Sequence, residues 1–275
     1  MTPSSSTATA TATPAFATKR VLVTGGNSGI GYAIAEKFLQ EGATVAITGR
    51  REDKNKETVD QLNKGAVGSA RALYITSDLS KEDQIEVTAK KAVELLGGLD
   101  ILVHNAGVGG FAAVDQAASA YAAIMDTNLR APILLTSYLV PELRKSAKDG
   151  HHPSIIFISS IVTAIHAKNF GIYSASKAGL THYAKTAAYE LTADGVRVNI
   201  VSPGPTRTPI FSASSGANAE KAKEMFDEIA AKSPVGRIGE PSEIADSVLF
   251  LASEKALYLT GSDLFIDGGY SLVSA

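Results

Sequence analysis

Short apolar runs alternate with amphipathic stretches along almost the whole chain. The runs at Arg20–Val23, Thr44–Thr48, Leu73–Thr76, Leu99–Val103, Ile155–Ile158 and Leu264–Ile266, with another ending at Pro203, have the length and β-branched content of strands. Between them lie segments with apolar residues at helical spacing: Tyr32–Leu39, Glu52–Asn63, Lys81–Leu96, the stretch from Tyr121 through Asn128, the segment carrying Tyr173 and Lys177, and Pro241–Leu251. Strand alternating with helix predicts one doubly wound α/β domain with right-handed crossovers and a parallel sheet.

The first 18 residues repeat Ser, Thr and Ala without charge, a composition that cannot build a core, and are expected to form a disordered tail ahead of a single domain over 19–275. A transit peptide should be Arg-rich, whereas the first basic residues are Lys19 and Arg20, so a cytoplasmic protein is expected. With 45% hydrophobic and 20% charged residues among 275, the chain can bury a large core. Its formal charge of -2 offers no basic field for a phosphate backbone, which argues against a nucleic-acid partner. Cysteine is absent, which excludes disulfides, thiolate metal sites and a cysteine nucleophile. No apolar run approaches the ~20 residues of a membrane span. His104, His151, His152, His166 and His182 show no ligand spacing with carboxylates, so no metal site is expected.

The first strand breaks into Thr24-Gly25-Gly26-Asn27-Ser28-Gly29-Ile30-Gly31, and a helix follows. Strand, glycine turn, helix is the order a dinucleotide site requires, because glycines admit a pyrophosphate close to the main chain and the helix N-terminus offers free N–H groups. The spacing is Gly-x3-Gly-x-Gly. Gly25, Asn27, Ser28, Gly29, Ile30 and Gly31 are candidate cofactor contacts. The second strand ends at Gly49-Arg50-Arg51, with no carboxylate at Thr48 or Gly49. An acidic residue at that strand end binds the ribose 2′-hydroxyl of NAD, whereas arginine pairs with a 2′-phosphate. Arg50 and Arg51 therefore favour NADP(H), the alternative being a solvated basic turn. Asp78, with Leu79 beside it, follows the third strand and can cap the next helix, meet the adenine amino group, or do both, because strand C-termini form the ligand edge of an open α/β sheet. The fourth strand stops at His104-Asn105-Ala106-Gly107, where small residues let a ligand lie against the backbone.

The fifth strand delivers Ser159 and Ser160, and Tyr173 and Lys177 follow at i and i+4, so both project from one helix face. A phenol titrates near pH ~10, and a neighbouring cation lowers that value. Tyr173 is thus a candidate general acid or base. Of nine tyrosines, only Tyr173 has a lysine four residues on. Alone, such a pair is more often surface decoration than chemistry.

Taken in order, these motifs make the chain similar to the short-chain dehydrogenase/reductase family from about Lys19 to the C-terminus. Thr24 to Gly31 matches the family's coenzyme loop, Asn105-Ala106-Gly107 its strand-four signature, and Asn128, Ser160, Tyr173 and Lys177 its catalytic tetrad. Pro203-Gly204 matches the turn after strand six, and Asp267-Gly268-Gly269 the late signature. The resemblance implies a Rossmann-type doubly wound sheet of seven parallel strands, order 3-2-1-4-5-6-7, with helices on both faces. It implies that Tyr173 protonates a carbonyl oxygen in reduction, or removes the alcohol proton in reverse. Ser160, at the family's spacing before Tyr173 and so preferred over Ser159, would hydrogen-bond that oxygen. Lys177 would hold the nicotinamide ribose and depress the tyrosine pKa, and Asn128 would hold a water linking Lys177 to solvent. Thr206 and Thr208, after Pro203 and Gly204, correspond to contacts with the nicotinamide carboxamide. A homotetramer, or a homodimer, is the implied assembly.

The chain departs from the family at three places. His104 replaces a common asparagine, the glycine often found shortly after the catalytic serine is replaced by Ile161-Val162-Thr163-Ala164, and Lys145–Pro153 reads as a surface insertion. Beyond Thr208, a Ser/Gly/Ala segment leads to a helix with Ala222, Met225, Phe226 and Ile229 on one face, expected to form a substrate lid around 207–235. Phe111, Ile161, Ile165, His166, Ile210, Phe211 and Met225 are expected to line a mainly apolar pocket. The expected activity is reversible NADP(H)-dependent reduction of a ketone or aldehyde, a small-molecule substrate, to an alcohol. An imine substrate, an NAD preference, a dinucleotide sensor without catalysis and a methyltransferase on a related sheet are the competing readings.

Overall fold

The computed structural model of the chain describes residues 14–110, 112–209 and 219–273. Strands β1 (Arg20–Val23), β2 (Thr44–Gly49), β3 (Ala72–Thr76), β4 (Ile101–His104), β5 (Ser154–Ile158), β6 (Arg197–Pro203) and β7 (Asp263–Ile266) form one parallel sheet in the order β3-β2-β1-β4-β5-β6-β7. This is the expected topology. The α-helices of the described residues are α1 (Gly29–Gln40), α2 (Glu52–Leu62), α3 (Glu82–Leu96), α4 (Ala117–Met125), α5 (Ala131–Lys148), α6 (Gly171–Leu191), α7 (Ala219–Lys232), α8 (Pro241–Ala252) and the single turn α9 (Tyr270–Val273).

Successive strand residues point to opposite faces, and here both faces are covered. Val21, Val23, Ile101 and Val103 join one core with Ile34 and Phe38 of α1 and Val248 and Leu251 of α8. Leu22, Leu102, Ile155 and Phe157 join the other, with Ile85 of α3, Leu135 and Leu139 of α5, and Leu180 and Ala184 of α6. That is why the central strands read as unbroken apolar runs. Each fully buried Val, Leu, Ile or Phe stabilises the fold by ~1.5–3 kcal/mol. The strand order reverses between β1 and β4, so a crevice opens at their C-terminal ends, the place where such sheets bind ligands.

Two expectations about the chain's organisation are corrected. The tail was expected to run through residue 18, but Phe16 is only 3% exposed and packs edge-on against Phe38 at 4.9 Å. Its N–H also donates to the Glu41 carbonyl at 2.9 Å. One aromatic ring supplies enough apolar area to tie down a segment whose average composition is polar; residues 1–13 lie outside the described residues. The surface insertion at Lys145–Pro153 is shorter than expected, because α5 continues through Lys148. Ser146, near the end of α5, is buried and its hydroxyl donates to Asp100 Oδ1 at 2.7 Å. Among the described residues, no helix is long and apolar enough to cross a membrane.

Candidate active site

The crevice is built first from backbone. Thr24, the last residue before the glycine loop, is buried, and its Oγ1 accepts the N–H groups of both Asn105 and Ala106 at 3.0 Å. Asn105 returns the contact, its Nδ2 donating to Thr24 O at 2.9 Å and Gly25 O at 3.1 Å. The asparagine thus braces the loop and leaves the main chain of Ala106 and Gly107 at the crevice. Gly31 is required by the same closeness: a Cβ there would fall 2.3 Å from Gly25 O and 2.4 Å from Asn105 Nδ2. Ser28 caps α1 by its backbone position alone, with no side-chain capping bond and no acidic residue in the first turn. The N–H groups at Gly29, Ile30 and Gly31 therefore present an uncompensated positive helix end, which suits a pyrophosphate.

His104, the first departure, does not enter the site. Its ring is buried, stacks on Phe157 at 4.7 Å and pairs Nε2 with Thr136 Oγ1 at 2.8 Å. Burial lowers its pKa to about 3, so it is neutral there.

At the outer end of the crevice, Arg50 and Arg51 are exposed where β2 gives way to α2. Asp78 stands near Arg50. Burial raises the Asp78 pKa, but the hydroxyl and N–H of Ser80 and the charges of Arg50 and Lys81 outweigh it and hold the carboxylate below its ordinary value. Asp78 does not cap α3, whose N-cap is Lys81; its Oδ1 instead accepts from Ser80 N at 3.1 Å and Ser80 Oγ at 2.8 Å. The expected contact at Leu79 is narrowed, because its side chain is buried with Ile75 and Ile85, leaving only main-chain groups for a ligand.

At the inner end, β5 delivers the two serines to different partners. Ser159 is buried and its hydroxyl pairs with Thr181 Oγ1 at 2.7 Å, whereas Ser160 Oγ interacts with the Tyr173 hydroxyl and accepts Val162 N at 3.3 Å. Lys177, 4% exposed, donates through Nζ to Ile158 O at 2.8 Å, and Nζ lies 5.8 Å from the Tyr173 ring centroid. The expected lowering of the phenol pKa is not found: burial raises the Tyr173 value, and only the Ser160 hydrogen bond opposes it. The cation lies over the ring, 5.8 Å from its centroid, and makes no hydrogen bond to the hydroxyl. Burial also brings Lys177 down to about 8.

Asn128 does not sit in a regular helix but in a π-helical turn, Asp126–Arg130, between α4 and α5. Its amide clamps the loop after β4, accepting Val108 N at 2.8 Å and donating to Val108 O at 3.0 Å. It also donates to Ser176 Oγ at 3.2 Å, and Ser176 donates to the Tyr173 carbonyl at 2.7 Å. Ser176 has no sequence signal beyond adjacency to Lys177, and Thr24, which opens the glycine motif, is not among the cofactor contacts the sequence predicts. A Cβ on Gly107 would lie 3.4 Å from Asn128 Oδ1 and 3.6 Å from Lys177 Nζ, so the strand-four end and the tetrad border one space.

Past β6, Gly204 N donates to Ile266 O at 3.0 Å, and Thr206 is buried with its hydroxyl on Gly204 O at 3.0 Å. Thr208 lies against the glycine loop, its Cβ 3.5 Å from where a Cβ on Gly29 would stand. Of the expected pocket residues, Ile161 and Ile165 are buried, His166 is exposed and Met225 is half-buried; Phe111, Ile210 and Phe211 lie outside the described residues.

Comparison with known proteins follows the same lines. The family model described as Enoyl-(Acyl carrier protein) reductase matches residues 25–271. Glucose 1-dehydrogenase of Gluconobacter oxydans is 36% identical over 94% of this chain and 93% of its own length. A 3-oxoacyl-(acyl-carrier-protein) reductase of Thermotoga maritima is 38% identical over 91% of this chain and 97% of its own. A cofactor-bound short-chain dehydrogenase/reductase of unknown function from Caenorhabditis elegans superposes with a TM-score of 0.87 at 33% identity, covering 94% of this chain and 97% of that one. With the glycine crevice and the Ser160, Tyr173, Lys177 constellation on one sheet edge, these matches establish that the chain belongs to the short-chain dehydrogenase/reductase family.

Proposed function

We propose that the protein is an NADP(H)-dependent oxidoreductase that interconverts a ketone or aldehyde with its alcohol, with Tyr173 as the general acid and base. The observation that carries the reading is the convergence of Ser160, Tyr173 and Lys177 beside a glycine crevice whose outer end holds Arg50 and Arg51 and no carboxylate at the β2 terminus. The dinucleotide, when bound, supplies or takes the hydride.

The chain's own groups handle the proton. With its pKa raised by burial, the Tyr173 phenol is protonated at neutral pH and ready to donate to a carbonyl oxygen. Ser160 Oγ, already at the phenol, supplies the second hydrogen bond to that oxygen. The Lys177 ammonium, fixed on Ile158 O, meets the negative charge that Tyr173 acquires when it gives up its proton, and in the reverse direction it favours the phenolate that accepts one. Arg50 and Arg51 are suited to a 2′-phosphate, and the charge of Arg50 helps hold the Asp78 carboxylate below its ordinary value.

The relatives' names, a glucose dehydrogenase and an oxoacyl reductase, both describe carbonyl and alcohol chemistry, which supports the substrate class. A homotetramer remains our reading of the assembly; Tyr258, at 103% exposure, and the exposed Leu257, Phe265, Leu272 and Val273 give the β7 end of the sheet an apolar surface suited to a second copy. Incubation with NADPH or NADH and a panel of ketones, aldehydes and imines, followed by nicotinamide absorbance, tests the activity. Binding without turnover of any carbonyl would instead mark a sensor, and turnover of imines alone would move the substrate class.

A further inference from the structure

We propose that Asn55 is a positioning residue for the adenosine end of the dinucleotide, fixing the Asn27 side-chain amide so that Asn27 Oδ1 accepts a hydrogen bond from the ribose 3′-hydroxyl. The inference rests on the NADP(H) reading above and divides recognition between two groups at one corner.

Asn55 lies in α2 on the face that packs against the sheet, with Thr58, Val59 and Leu62, and is 0% exposed. An apolar side chain would fill that position without a desolvation penalty; an amide is tolerated only if its polar atoms are paired. They are paired in one sense only. Asn55 Nδ2 donates to the Gly49 carbonyl at 2.9 Å, with Thr76 Oγ1 at 3.4 Å. A carbonyl cannot donate, so this end must be the NH2 group, and Asn55 Oδ1 must face the other way. There it accepts from Asn27 Nδ2 at 2.7 Å. The same logic passes along the pair: with its NH2 group held by Asn55, Asn27 has its Oδ1 left, and that atom takes no hydrogen bond among the described residues.

Gly49 completes the device. A Cβ there would fall 2.2 Å from Asn27 Nδ2 and 2.2 Å from Asn55 Oδ1, so any side chain would displace the bridge. Gly49 is also the residue before Arg50, which ties the orientation of Asn27 to the strand end that carries the guanidinium.

An oriented amide oxygen is an acceptor. It repels a phosphate oxygen, which carries no proton to donate, and it suits a hydroxyl. In a 2′-phosphorylated adenosine ribose the hydroxyl left is the 3′. Arginine for the phosphate and Asn27 for the hydroxyl is therefore a consistent pair of contacts.

Titration calorimetry with NADP+ and with its 3′-deoxy analogue, on the wild type, Asn55→Leu and Asn27→Ala, tests the assignment. Both variants are expected to bind NADP+ about fivefold to tenfold more weakly, the worth of one hydrogen bond, while the 3′-deoxy analogue binds all three proteins alike. Equal weakening toward both ligands would assign Asn55 a packing role and overturn the proposal, as would no weakening toward either. Should Asn55→Leu fail to fold, Asn55→Ala is measured in its place against the same two ligands, and Asn27→Ala, at a half-buried residue, tests the acceptor itself. A wild type that binds NAD+ and not NADP+ would remove the cofactor reading separately, and 3′-deoxy-NAD+ then decides the role of Asn55 by the same criterion.

Discussion

Lys177 Nζ is hydrogen-bonded to the carbonyl of Ile158, at 2.8 Å, and lies over the Tyr173 ring, 5.8 Å from its centroid. The lysine is therefore anchored to the end of β5 before it acts on the tyrosine. Burial pushes the two groups in opposite directions, the phenol up and the ammonium down to about 8. Carbonyl reduction needs both protons in place, the phenol to donate and the ammonium to receive the resulting charge. The turnover rate for reduction is expected to be level below pH of about 8 and to fall as the pH passes through that value, where Lys177 loses its proton. Alcohol oxidation needs the phenolate, whose raised pKa makes it scarce at neutral pH, so its rate is expected to climb with pH. Steady-state rates in both directions across the range check this, and a reduction rate that climbs with pH contradicts it.

Tyr173→Phe keeps the ring on Phe170 and under Lys177 while deleting the hydroxyl. Turnover is expected to drop by about 10²–10⁴, the usual worth of a general acid, with NADPH affinity little changed. Full activity in this variant would remove Tyr173 from the acid-base role.

Arg50→Ala removes one exposed cation from the β2 terminus without touching the core. If that guanidinium meets a 2′-phosphate, the Michaelis constant for NADPH should rise about tenfold and the one for NADH should barely move. Comparing the two coenzymes with one substrate is enough; an equal rise for both counts against phosphate recognition. A secondary effect is expected on Asp78, whose carboxylate loses a supporting charge.

The parts of this molecule that were legible in the sequence are those written in neighbouring residues. The glycine loop, the Tyr173 and Lys177 pair and the strand runs each lie within one element or one turn, where period and spacing report geometry directly. The Asn27 and Asn55 bridge spans 28 positions and exists only after β1, α1 and β2 have brought loop and helix together. Nothing in the spacing of either residue announces it. Helix periodicity placed Tyr173 and Lys177 on one face but not the direction of a long side chain, which the Ile158 carbonyl decides. Asp78 reads from the sequence as a helix cap or a partner of the adenine amino group, and its Oδ1 is instead taken by Ser80, two residues on, which neither reading names.

Phe16 makes the corresponding argument for stability. Averaged over eighteen residues, the N-terminal segment is polar enough to stay unfolded, yet this ring is 3% exposed against Phe38 in the core that also holds Ile34 and Leu39. Phe16→Ala leaves the edge of Phe38 uncovered and is expected to lower unfolding free energy by about 3 kcal/mol, the lower end for aromatic truncation because the segment can shift to fill the gap. The backbone bond from Phe16 N to Glu41 O, at 2.9 Å, loses its anchor at the same time. Phe16 lies below the α1 to β2 turn and not at the C-terminal strand edge, so the Michaelis constants should stay put while the urea midpoint falls. A variant as stable as the wild type would mean that the domain's core begins at Lys19 after all.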